Sequence, residues 1–158
     1  MNISLMSDHE LEQMYRNCVD AVVNNKPTRE RAVGLISAIN AVWQQRVSEA
    51  IAGTYKAESP EQGVLKTIGY QVGNNGVSLA KRHSLLDFVM TEQLPFVGSP
   101  AHMLEWGEPR SRTRYQKLHH VLTVLHSSAK TLGYMEKAEA DWFRDLEYIE
   151  QVWRDQVR

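Results

Sequence analysis

The sequence predicts an all-α protein, a compact bundle of about six helices. Two observations carry that reading. Apolar residues recur at i, i+3 and i+4 spacing along most of the 158 residues. Helix-start residues precede the periodic runs, and proline or glycine closes most of them. The composition, 42% hydrophobic against 23% charged, suits a single helical domain. One cysteine excludes a disulfide scaffold, and the apolar content excludes a disordered tail.

Each element follows from local chemistry. Ser7 and Glu10 have the spacing of a capping box, so a first helix is expected over residues 7–24. Lys26-Pro27 ends it, because proline disfavours the α region for its predecessor. Thr28 opens a second helix with Leu35, Ile36, Ile39, Val42, Trp43, Val47 and Ile51 as its stripe, closed by Gly53. Ser59-Pro60-Glu61 starts a short helix that Gly69 stops. Asn75-Gly76 lies between near-alternating apolar residues, so residues 69–79 read either as a short β-hairpin or as a glycine-rich turn. Ser78 then caps a helix to about residue 92, and Ser99-Pro100 opens a short one ending at Trp106-Gly107. Ser111 begins a long helix to Gly133, and the last runs from 135 to 157 with Trp142, Leu146, Ile149 and Trp153 on one face. The N-terminal hairpin, residues 7–53, is expected to pack on a helical body, residues 59–158, within one domain. The stretch 53–60 is the best boundary inside it.

The net charge of −1 hides an asymmetry. Residues 65–135 hold eight Lys/Arg against four Asp/Glu, while residues 136–158 hold four against seven. Arg110, Arg112, Arg114 and Lys117 gather at the start of one helix, and Lys81-Arg82 adds a second basic turn. Arginine forks and helix-start amides suit phosphate, so these six residues are nucleic-acid-binding candidates. Trp106, beside them, is a candidate stacking platform. The plainer alternative is a solvated face, or pairing with the acidic last helix.

No catalytic constellation stands out. His119 and His120 point to different helix faces, and His126 is two turns from His119, so no metal site is expected. Cys18 lies on an apolar stripe and reads as a core residue. Gly69, Gly73 and Gly76 lack the Gly-Lys-Ser/Thr of a phosphate loop. No cofactor is expected, and an enzyme is the weaker reading. No apolar run reaches the length of a membrane span, and the first residues suggest no secretory leader, so a cytoplasmic protein is expected.

The set Tyr70-Gln71-Val72-Gly73, Gly76, Ser78, Arg82, Leu94-Pro95, Ser99-Pro100, Glu105-Trp106-Gly107-Glu108-Pro109, Ser111, Arg114-Tyr115, Trp142 and Asp145-Leu146-Glu147-Tyr148 resembles a family of small bacterial helical proteins. The likeness covers about residues 60–155. It implies an intracellular accessory protein, with room for a mobile-element or phage-conflict setting, and carries over no catalytic residues. The functional expectation is a non-enzymatic binding protein that takes DNA or RNA at its basic helix start. The alternative is a protein–protein module or homo-oligomeric adaptor, docking through the acidic final helix or the N-terminal hairpin.

Overall fold

The computed structural model describes residues 2–51 and 63–157. Among these residues the chain is all-α: seven α-helices, one 3-10 turn at Ile3–Leu5 and no strand. The helices are α1 Asp8–Val23, α2 Arg29–Ile51, α3 Val64–Thr67, α4 Leu79–Thr91, α5 Pro100–Trp106, α6 Arg112–Leu132 and α7 Glu136–Trp153. Gly53, the Ser59-Pro60 helix start and the 53–60 boundary lie outside the described residues.

The starts form as the side chains dictate. Ser7 Oγ accepts from the Glu10 amide at 3.2 Å, and the Ser7 amide donates to the Glu10 carboxylate at 2.7 Å, which closes the capping box. Ser78 and Ser111 accept from Lys81 and Arg114 amides in the same way. α6 ends at Gly133, whose φ of 76° is the left-handed cap glycine tolerates.

The hairpin alternative at residues 69–79 does not form; the segment is a glycine-rich turn. Val77 N–H donates to Gln71 O at 3.1 Å and Gly76 N–H to Gly73 O at 3.0 Å. A Cβ on Gly76 would stand 2.7 Å from the Val72 carbonyl carbon, so only glycine fits this approach.

The chain folds into two compact units, each discontinuous in sequence. The first comprises residues 1–69 and 93–104. α1 and α2 run antiparallel, held at one end by Arg46, which pairs with Asp8 and donates to Met6 O. Its core takes Leu11, Tyr15, Cys18 and Val19 from α1, Ile36, Ile39 and Trp43 from α2, and Leu94, Phe96 and Val97 from the connector before α5. Buried Asn40 fixes that connector: its amide donates to Leu94 O at 2.8 Å and its oxygen accepts from Phe96 N–H at 2.9 Å. Burial also pushes the Cys18 thiol up, the opposite of an activated nucleophile.

The second unit comprises residues 70–92 and 105–158. It contains the 70–77 turn, α4, α6 and α7, with α6 and α7 as its principal helix pair. Its core is Leu85, Phe88 and Val89 of α4, Leu118, Leu122 and Ala129 of α6, and Trp142, Ile149 and Trp153 of α7.

Candidate functional site

The structure takes the basic cluster apart. Arg114 is 4% exposed and faces inward. Its guanidinium donates to four carbonyls: Val89 O at 2.6 Å, Gly107 O at 2.8 Å, Trp106 O at 2.9 Å and Glu92 O at 3.0 Å. It thereby caps the C-terminal end of α4, where free carbonyls favour a cation. Arg82 is 3% exposed and bound to Asp145 at 2.8 Å. Trp106 is buried as well, so it offers no face for stacking a base. These three therefore leave the set of surface contacts, because a phosphate-reading or stacking group needs solvent access.

The other four stay at the surface, dispersed. Arg112 is exposed on the first turn of α6. Arg110 is exposed with a left-handed φ of 62°; its amide donates to Met90 O at 2.7 Å and its guanidinium lies 5.5 Å over Trp153. Lys117 is half-buried, paired with Glu105 at 2.8 Å and 5.9 Å over the Trp106 ring. Lys81 is half-exposed on the first turn of α4. Met90, which anchors Arg110, lies about 13 Å further along the helix axis.

Arg82 belongs to a buried polar network that sequence reasoning did not anticipate. Fully buried Asp145 also accepts from Tyr70 Oη at 2.5 Å, and His83 Nε2 lies 3.2 Å from it. Asp141 accepts from the Gly73 amide at 3.0 Å and stands 3.6 Å from Arg82. Asp87 receives Tyr148 Oη at 2.8 Å and Trp153 Nε1 at 2.9 Å, and Tyr148 stacks on His83 at 3.9 Å. Burial opposes charge on Arg82, but the hydrogen bond to Asp145 and the fields of Asp145 and Asp141 outweigh it and hold the guanidinium above its ordinary value. Burial, then Asp145, pushes the Tyr70 hydroxyl well up; burial, then Asp87, does the same to Tyr148. The network joins the 70–77 turn and α4 to α7. Among the described residues no group of three His, Cys, Asp or Glu is placed to hold a metal ion.

The outer groove of the α6–α7 pair is a different kind of surface. Glu136, Glu139, Phe143, Glu147 and Glu150 recur along α7 at i, i+3, i+7, i+11 and i+14, which is one helix face. Phe143 is 51% exposed at the centre of that stripe. The α6 side supplies His119, whose Nε2 meets Glu150 at 2.8 Å, and His126, whose ring lies 5.9 Å from Phe143. Two clefts open along this groove. One, of about 440 Å³, is lined by His126, Lys130, Glu139 and Phe143. The other, of about 340 Å³, is lined by Tyr115, His119, Thr123 and Arg154. The acidity of the last helix was legible in the sequence; the exposure of Phe143 among its glutamates was not.

No family model, curated protein or solved structure matches the chain. Of the residues in the motif set noted in the sequence, Tyr70, Gly73, Arg82, Trp106, Gly107, Arg114, Asp145 and Tyr148 take part in the hydrogen bonds described above, whereas Gln71, Glu105, Glu108, Pro109 and Glu147 are exposed.

Proposed function

We propose that the protein is a protein–protein interaction module that docks a partner in the α6–α7 groove. One observation carries this reading. A large aromatic side chain, Phe143, stays half-exposed at the middle of a charged stripe, flanked by concave surface. Interface anchors combine an aromatic group near the centre with a polar rim. The buried polar network around Asp145, by contrast, is used in holding the 70–77 turn and α4 to α7.

The test is a photo-crosslinking residue installed at Phe143 in the full chain inside the producing cell. A protein adduct of one defined mass is expected, with none from the same residue at exposed Gln13 on α1. No adduct at Phe143, or the same adducts from both positions, removes the reading.

Nucleic-acid binding is the second reading, supported by Arg110 and Arg112 exposed at the start of α6. It expects affinity for DNA or RNA to fall by about 0.9 log units per log salt for each duplex phosphate contacted. Fluorescence anisotropy of the wild type and Arg110→Ala/Arg112→Ala at two salt concentrations checks it. Equal binding by both proteins excludes these arginines.

A further inference from the structure

We infer that the partner taken by the α6–α7 groove is a second copy of this chain, placed so that α6 of each protomer lies over α7 of the other. This rests on the docking reading above and names the occupant.

The register of the pair is fixed by three couples. His126 meets Phe143, His119 meets Glu150, and Tyr115 shares a cleft with Arg154. Each step down α6 is matched by an equal step up α7, so the two helices run antiparallel. The same register sets Lys130 level with Glu139, and both line the cleft of about 440 Å³. Neither is held in an ion pair among the described residues. The two walls differ in sign. α6 contains no Asp or Glu, and its groove side carries Lys130 and the imidazoles of His119 and His126. The α7 stripe carries Glu136, Glu139, Glu147 and Glu150, with Arg154 at its end already held by Glu150 at 3.6 Å. Arg144 stands about 100° round the helix from Phe143. It is on the side of Lys137, which pairs with Asp141 at 3.5 Å, and so leaves the stripe acidic.

Charge complementarity then selects the occupant. A partner of one sign gains at one wall and loses at the other. A surface with one basic and one acidic wall is complementary to itself about a two-fold axis that runs along the groove. That axis keeps each residue at its level and exchanges the walls. Lys130 meets the partner's Glu139, and His126 meets the partner's Phe143. Each α6 then has an α7 on both sides, its own and the partner's, and every neighbouring pair is antiparallel. This is the arrangement of an up-down-up-down four-helix bundle. A two-fold axis across the groove would instead lay α7 on α7 and set glutamate against glutamate.

Sedimentation velocity of the full chain over a concentration series reaching about 0.2 mM tests it. The mass is expected to rise from 18.1 kDa toward twice that value, with half-association in the micromolar range, since most of the seam is polar. Phe143→Ser should weaken the dimer by about tenfold or more. Lys130→Glu and Glu139→Lys change exposed or half-exposed groups. Each should weaken it by about tenfold, because two-fold symmetry counts every substitution twice. An equimolar mixture of these two variants should associate again, because acid then faces base at both seams. Mild oxidation of Lys130→Cys mixed with Glu139→Cys should give the mixed disulfide in preference to either like pair; Cys18 is buried and takes no part. Near-ultraviolet circular dichroism checks that each variant keeps the fold. A monomer throughout the series overturns the inference, as does a dimer indifferent to all three substitutions or a mixture that fails to associate. Predominance of like-pair disulfides overturns the placement of α6 over α7. The crosslink at Phe143 separates the two claims. An adduct of twice the chain mass is expected. An adduct of any other mass overturns the second copy and leaves the docking reading standing; absence of any adduct removes both.

Discussion

Arg112 and Arg114 stand two positions apart on α6 and have opposite fates. Arg112 is solvated, whereas Arg114 is folded over four carbonyl oxygens. Arg114→Ala is expected to cost roughly 3–5 kcal/mol, because it leaves buried carbonyls unmatched and opens a void. Arg114→Lys should recover little, since an ammonium lacks the planar fork. Arg112→Ala should stay within about 0.5 kcal/mol of the wild type. Urea unfolding of the three variants checks this, and similar stability for all three would refute the buried assignment. The tyrosines give a second residue-scale test. Tyr70 and Tyr148 have folded pKa values raised above the unfolded value of about 10. Their contribution is therefore fully present below about pH 10 and is lost as pH rises through the folded values. In the folded protein the ultraviolet phenolate signal near pH 11 should fall short of that of the denatured chain by at least two of the six tyrosines. Full ionisation of all six before unfolding would contradict the Asp145 and Asp87 contacts.

At the scale of elements, two glycines with different surroundings should respond in opposite directions. Gly34 lies exposed in the second turn of α2, and a Cβ there would meet nothing within 4 Å. Gly34→Ala should stabilise by about 0.5–1 kcal/mol through helix propensity. Gly107 has φ of 62°, and its Cβ would fall 2.8 Å from Thr113 and 3.1 Å from the Ser111 hydroxyl that caps α6. Gly107→Ala should cost on the order of 1–2 kcal/mol or more, combining a left-handed alanine with a displaced cap. Thermal melts compare them, and shifts of the same sign would show that the 105–111 turn is not fixed as described. These elements were legible because their causes are local. The Ser7–Glu10 box, the Ser78 and Ser111 caps, and Trp43, Trp142 and Trp153 as core residues all follow from spacing within a few residues. Arg82 and Arg114 were not legible as interior residues. Their partners are a carboxylate 63 positions away and main-chain carbonyls, and neither leaves a pattern in side-chain chemistry. A charge run read by composition alone defaults to the surface. The groove was half legible: the last helix announced its acidity, but the exposure of Phe143 depends on where α6 lies.

At the scale of the whole molecule, the order of the chain constrains what can fold alone. The first unit is completed by residues 93–104, so the chain leaves it after Gly69 and returns to it before passing into the second unit again. A cut in the sequence after the N-terminal hairpin and α3 therefore removes part of a core. In a fragment of residues 1–69, Leu94, Phe96 and Val97 would be missing from the interior. Asn40 would lose both of its main-chain partners, and the Tyr15 hydroxyl would lose the Gln93 carbonyl it binds at 2.9 Å. Buried polar groups left without partners cost about 1–3 kcal/mol each, and the lost apolar burial adds to that. Such a sum is comparable to the entire stability of a small domain. The fragment is accordingly expected to show no cooperative urea transition, with Trp43, its single tryptophan, emitting as a solvent-exposed indole. Adding a synthetic peptide of residues 93–104 in excess should shift that emission toward the buried form, because the peptide restores the partners of Asn40 and Tyr15. A fragment that unfolds cooperatively by itself would show that the α1–α2 hairpin is an independent domain and that the connector merely lies on it.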